Sequence, residues 1–175
     1  MFWENRLQLA WGFINSFGDK FKKSDDKIIF DSKFGYKSFK KVFISAAFNF
    51  RSQFSNSFTY PASGSKVLVS GPFSPAYLSF GIGLDYKPAK PVSINFSPLT
   101  SNLVIVSQES LRVKYGNRID QPAKLELGAQ LKIDYKQQLT KDLAIASNLV
   151  FFSDFLHNPQ NIKVYWDLFI DSKIN

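Results

Sequence analysis

What most limits the fold of this chain is a period of two. Eight runs alternate apolar and polar side chains, over about 5–16, 27–37, 41–54, 75–87, 91–98, 123–136, 142–153 and 161–174. In the first, Leu7, Leu9, Trp11 and Phe13 oppose Arg6, Gln8, Ala10 and Gly12; in the fourth, Phe80, Ile82, Leu84 and Tyr86 oppose Ser79, Gly81, Gly83 and Asp85. Alternation with this period puts successive side chains on opposite faces of a strand. The short apolar piece Leu103 to Val106 either lengthens the fifth run or adds a strand in the loop after it. No helix of useful length is predicted.

Three runs close on the same device: Phe34-Gly35-Tyr36-Lys37, Leu84-Asp85-Tyr86-Lys87 and Ile133-Asp134-Tyr135-Lys136. The tyrosines lie about fifty residues apart, so the chain reads as a series of similar β-hairpins. A tyrosine ending an apolar stripe, with lysine just beyond it, is how a strand leaves hydrocarbon for a charged interface. The connections after runs two, four and six are short, whereas those after one, three, five and seven are longer. Tight turns at one end and long loops at the other are the habit of outer-membrane barrels. The expectation is therefore all-β: one domain over residues 1–175, an antiparallel up-and-down transmembrane β-barrel of about eight strands.

Alternation does not say which face is inside, since a soluble sandwich alternates too. The polar face does. It carries Gly12, Gly35, Gly81, Gly83 and Gly128 among alanines and serines. On a solvated strand surface glycine only weakens the strand, but in a narrow lumen it makes room for a large neighbour. The apolar face is bulky and uncharged in every run. Facing lipid, one midplane lysine or arginine costs about 2–4 kcal/mol. Tyr36, Tyr86, Tyr135, Trp11 and Trp166 are then expected in an interfacial girdle. Arg6, Asp31, Arg51, Asp85, Glu126, Lys132 and Asp134 are expected as ion pairs within the lumen, because a lone buried charge is costly.

Composition narrows the partners. The net charge is +8 and the pI about 9.6, but no basic helix or nucleic-acid module accompanies them, so nucleic acid is not expected. Lysines cluster at turns and strand ends, where lipid phosphates or lipopolysaccharide supply the counter-charge. The absence of cysteine excludes disulfides, thiol catalysis and cysteine-held metals. No apolar run reaches the ~18 residues of a spanning helix. The start, Met1-Phe2-Trp3-Glu4-Asn5-Arg6, does not read as a signal peptide. For an exported protein this implies a chain numbered without its leader, or a fragment.

Several motifs together resemble a family of Bacteroidota outer-membrane β-barrels known only as a domain of unknown function. They include Arg6-Leu7-Gln8-Leu9-Ala10-Trp11-Gly12, Asp31-Ser32-Lys33-Phe34-Gly35-Tyr36-Lys37 and Asn49-Phe50-Arg51-Ser52-Gln53-Phe54. Further on come Asp85-Tyr86-Lys87-Pro88, Ser97-Pro98-Leu99-Thr100, Glu126-Leu127-Gly128-Ala129 and His157-Asn158-Pro159-Gln160-Asn161-Ile162. The resemblance runs almost end to end and implies fold and a bacterial outer-membrane location, with no activity attached. It also implies a leader and further strands before Met1, and at least one strand past Asn175. The ending Ile174-Asn175 lacks the terminal aromatic that barrel assembly machinery reads. On that comparison the segment is an excerpt, and eight is not the natural strand number.

Little in the chain reads as chemistry. His157, the single histidine, has Ser153 and Asp154 nearby, yet Asn158-Pro159 marks the segment as a shaped loop. Asp19, Asp25 and Asp26 lie among Lys20, Lys22, Lys23 and Lys27 without the spacing of a calcium loop, and mutual salt bridging is the simpler expectation. P-loop, Rossmann and zinc-protease motifs are absent. No cofactor, metal site or catalysis is expected. The leading function is a non-enzymatic structural or accessory barrel with a lumen filled by side chains. The alternatives are a narrow channel or small-solute transporter, an outer-leaflet lipid enzyme using His157, and a soluble lipocalin-like carrier.

Overall fold

The computed structural model describes residues 1–15, 22–61 and 64–172. Asp19, Lys20, Ile174 and Asn175, named above, lie outside the described residues, as does the end of the first run at Ser16. In chain order the elements are β1 (Phe2–Ile14), β2 (Lys22–Phe39), β3 (Val42–Ser52), β4 (Ser57–Thr59), β5 (Val67–Ser70), β6 (Ala76–Ala89) and β7 (Val92–Ile105). A single helical turn, α1 (Glu109–Arg112), runs on into a 3-10 turn over Val113–Tyr115. Then follow β8 (Ala123–Gln138), β9 (Leu143–Asp154) and β10 (Ile162–Ser172). Each expected run is thus a strand. Of the piece Leu103 to Val106, all but Val106 continues β7.

Eight strands form one antiparallel sheet in the order β1-β2-β3-β6-β7-β8-β9-β10, so neighbours in sequence are neighbours in space. The sheet curls into a half-barrel. The curl is visible in which side chains meet. Neighbouring strands lie about 4.8 Å apart, so side chains two strands apart touch only on a concave surface. Lys33 of β2 reaches Asp85 of β6 across β3, at 2.7 Å. Phe2 of β1 meets Phe43 of β3 across β2, with ring centroids 5.6 Å apart, and Lys163 of β10 reaches Glu126 of β8 across β9, at 2.7 Å. The expected ring is not closed among the described residues: β1 and β10 are the two edges, and no hydrogen-bonded pairing joins them.

All three concave contacts involve the polar face. Apolar side chains therefore cover the convex surface, where Phe80 is 45% and Trp166 67% exposed. Asp85, Ser45, Ser97, Thr100 and Glu126 are buried on the other side, together with Gly35, Gly83 and Gly128. Among the described residues the buried apolar set is only Ala76, Val106, Leu111 and Phe152. This is the inverse of a water-soluble sandwich, in which Phe80 and Trp166 would point to a dry centre.

One irregularity keeps the faces consistent. Against both neighbours, β7 uses three steps from its first to its last bulge residue where the partner uses two: Phe96 and Leu99 face Leu84 and Ile82, while Ser97 and Thr100 face Gln130 and Gly128. The extra residue is Pro98, placed where a central strand tolerates a missing N–H. It resets the parity, so that Leu99, Leu103 and Ile105 stay convex although Val92, Ile94 and Phe96 are even-numbered.

The long connections carry structure that the period did not announce. β4 and β5 form a small hairpin between β3 and β6. Between β7 and β8, Arg112 donates to the carbonyls of Val106, Ser107 and Ile119, and Tyr115 Oη donates to the Val69 carbonyl at 2.7 Å, tying this connection to β5. No helix among the described residues is long and apolar enough to cross a membrane.

Candidate functional site

The concave face holds the chain's concentrated polar chemistry, and register organises it in rows. One row crosses six strands: Arg6, Asp31, Asn49, Ser79, Asn102 and Glu126 sit in successive cross-strand pairs. Within it the Asn49 side-chain amide donates to Asp31, and Ser79 Oγ donates to Asn102 Oδ1 at 2.6 Å. Glu126 closes the row by accepting from Lys124 at 2.9 Å and Lys163 at 2.7 Å.

A second row runs through Phe43, Asp85, Asn95 and Lys132. Asp85 is completely buried. Lys33 Nζ donates to its Oδ1 at 2.9 Å and lies 2.7 Å from its Oδ2, and Asn95 Nδ2 donates to Oδ1 at 2.9 Å. A buried carboxylate held by an ammonium and an amide avoids the penalty of an unpaired charge. In the next row Asn148 Nδ2 donates to Asp134 at 2.6 Å, with Lys132 Nζ 3.7 Å from the same carboxylate.

The partners differ from those expected. Arg6 lies opposite Asp31 in the ladder, and Arg51 is close to the loop end of β3, but neither forms an ion pair among the described residues. Besides Lys132 beside Asp134, it is Lys33, Lys124 and Lys163 that neutralise carboxylates, while the side-chain amides of Asn49, Asn95 and Asn148 donate hydrogen bonds to them. The alternation assigned all of these to the polar face. The pairs themselves depend on register and on contacts that skip a strand, which a linear pattern does not carry.

The aromatics expected in a girdle all lie on the convex face. Tyr36 and Tyr86 are exposed near the short turns, Tyr135 is half-buried at the same end, and Trp11 is exposed at the loop end of β1. Trp166 sits mid-strand in β10, donating its Nε1–H to Ser147 Oγ at 3.0 Å.

At the loop end, Asp26 is a structural clamp. Its carboxylate accepts from the backbone N–H of Phe54 and Ser55 at 2.7 and 2.9 Å, from Ser55 Oγ at 2.8 Å and from Lys23 Nζ at 2.6 Å. Burial works to raise its pKa, but these donors outweigh it and bring the value down to about 2. Asp25 pairs with Lys27 at 3.4 Å. Among the described residues, no group of acidic or histidine side chains is arranged to hold a metal.

His157 Nδ1 lies 3.0 Å from Asp154 Oδ2, while Ser153 Oγ donates to the Pro159 carbonyl at 2.7 Å. Ser153 and Asp154 are consecutive on β9 and face opposite sides of the sheet, so the three do not converge as a nucleophile, base and orienting acid. Asp154 is pushed up by burial and pulled down further by the Leu156 N–H and His157, for a net lowering.

Comparison with known proteins adds a partial match. Residues 1–58 of the 175, covering β1 to β3 and the start of β4, are similar to a family described as a protein of unknown function (DUF3078). No curated protein and no solved structure matches the chain.

Proposed function

We propose that this chain forms the wall of an integral outer-membrane β-barrel of a bacterium, with a non-enzymatic structural or accessory role. The observation that carries the proposal is the inverted burial: a bulky convex face, uncharged between the loop end and the turns, is left bare while carboxylates and glycines are buried. Water would penalise such a surface by roughly 25 cal/mol per Å² of apolar area, whereas acyl chains accept it. The apolar stretches that would sit in hydrocarbon run, for example, from Ile28 to Tyr36 and from Phe80 to Tyr86. Tyr36, Tyr86, Tyr135 and Trp11 then take the interfacial positions, and the turn lysines meet lipid phosphates or lipopolysaccharide. Insertion would call on the barrel assembly machinery.

Tryptophan fluorescence in vesicles of bromine-labelled lipid tests this reading. Trp11 and Trp166 are expected to be strongly quenched. An unquenched signal from a chain that stays monomeric in detergent-free buffer would refute it and favour the lipocalin-like carrier.

A channel is the second reading, and the half-barrel favours it. Eight strands make only part of a ring at this curvature, so a closed ring would hold about twice as many, a size that leaves an aqueous lumen. Steady single-channel steps across planar bilayers would support the channel, and a silent bilayer the structural role.

A further inference from the structure

At the short-turn end of the concave face lies an open hollow of about 360 Å³, within the range of about 300–1,000 Å³ usual for small-molecule sites. Five lysines line it: Lys33, Lys87, Lys90, Lys132 and Lys136. Only Glu4 and Asp134 among its lining residues are acidic. Lys33 is engaged by Asp85, and Lys132 lies 3.7 Å from Asp134. The other three ammonium groups have no carboxylate partner among the described residues. Lys87 instead rests over two rings, with Nζ 5.0 Å from the centroid of Phe2 and 5.4 Å from that of Phe43. Those rings stack edge to face, and Phe2 lies directly over Gly35, whose missing Cβ makes room for it.

We propose that this hollow binds a soluble, multiply charged phosphate. Crowding unneutralised ammonium groups costs free energy through mutual repulsion, and a polyanion in their midst removes that cost. The site contains no guanidinium, so recognition works through point charges rather than a bidentate fork, and affinity should follow ligand charge. Its place on the concave face, away from the apolar surface, selects a dissolved phosphate over a lipid headgroup. The inference stands on the hollow itself and does not depend on membrane insertion.

The test uses the full chain in a neutral maltoside detergent, with pyrophosphate as probe and calorimetry as readout. Saturable binding near one per chain is expected, with inorganic phosphate weaker. Replacing Lys87 and Lys136 by Gln should weaken binding by about tenfold or more, the scale of losing charge-assisted contacts. Replacing both by Arg should restore most of it. The distal pair Lys27→Gln and Lys66→Gln, which removes equal charge, should change it by less than about twofold. If the Lys87/Lys136 double variant fails to fold, Lys90→Gln alone, in the exposed turn, should still weaken binding. The proposal is overturned by absence of saturable binding, by equal losses in the distal pair, or by displacement of pyrophosphate when phosphatidylglycerol is mixed into the micelle.

Discussion

Gly83 marks how closely β6 and β7 approach. A Cβ added there would run into the Phe96 carbonyl and come within 2.6 Å of Ser97 Cα, backbone atoms that cannot swing aside. At Gly81 the nearest neighbour is Thr100 Oγ1 at 3.3 Å, a side chain that can yield. Gly83→Ala is therefore expected to destabilise the fold by roughly 1–3 kcal/mol and Gly81→Ala by less than about 1, as read from urea midpoints. Asp26 makes a prediction in pH. Its folded pKa, about 2, lies below the ordinary 3.8, so its carboxylate stabilises the fold fully above about pH 4. That contribution, on the order of 2 kcal/mol, should fade as pH falls from about 4 to about 2. Asp26→Asn should remove it at neutral pH and flatten the stability profile over that window. The glycines were placed on the correct face from the sequence, whereas Asp26, expected in the loop before the second run, lies within β2 opposite Trp11; the closest neighbours of both come from other strands and could not be read there.

Among the elements, β7 shows why local pattern stopped short. Its alternation breaks after Phe96 because the bulge at Ser97 and Pro98 switches parity, so the run looked finished at 98 although the strand continues to Ile105. Inserting one residue after Ser101, beyond the bulge, would move the rest of the strand on by one place and turn Leu103 and Ile105 onto the polar face. The variant is expected not to reach the folded state, detected as loss of heat-modifiable migration and of strand signal in circular dichroism. The remaining long strands were legible because each keeps its apolar stripe through its middle, the register shifts of β2 and the second one of β6 falling near strand ends. β4 and β5, at three and four residues, are too short to display a period, and α1 owes its place to Arg112 holding carbonyls of its own connection and Tyr115 holding the distant Val69 carbonyl. Such anchors depend on tertiary contacts.

For the molecule as a whole, the inside-out arrangement was legible because it needs only two facts per strand: which side is bulky and which side holds glycine. The open edges were not, since alternation is the same in a closed ring and in a curled sheet. The greasy exterior has a thermodynamic consequence. A soluble domain absorbs extra heat on unfolding because apolar groups hidden from water become hydrated, typically about 12–15 cal/mol/K per residue. Here the apolar groups start out on the surface, and in a micelle they would pass from one oily contact to another. Scanning calorimetry in maltoside should show a heat-capacity step far below that range, so the melting curve would lack the curvature that brings cold denaturation within reach.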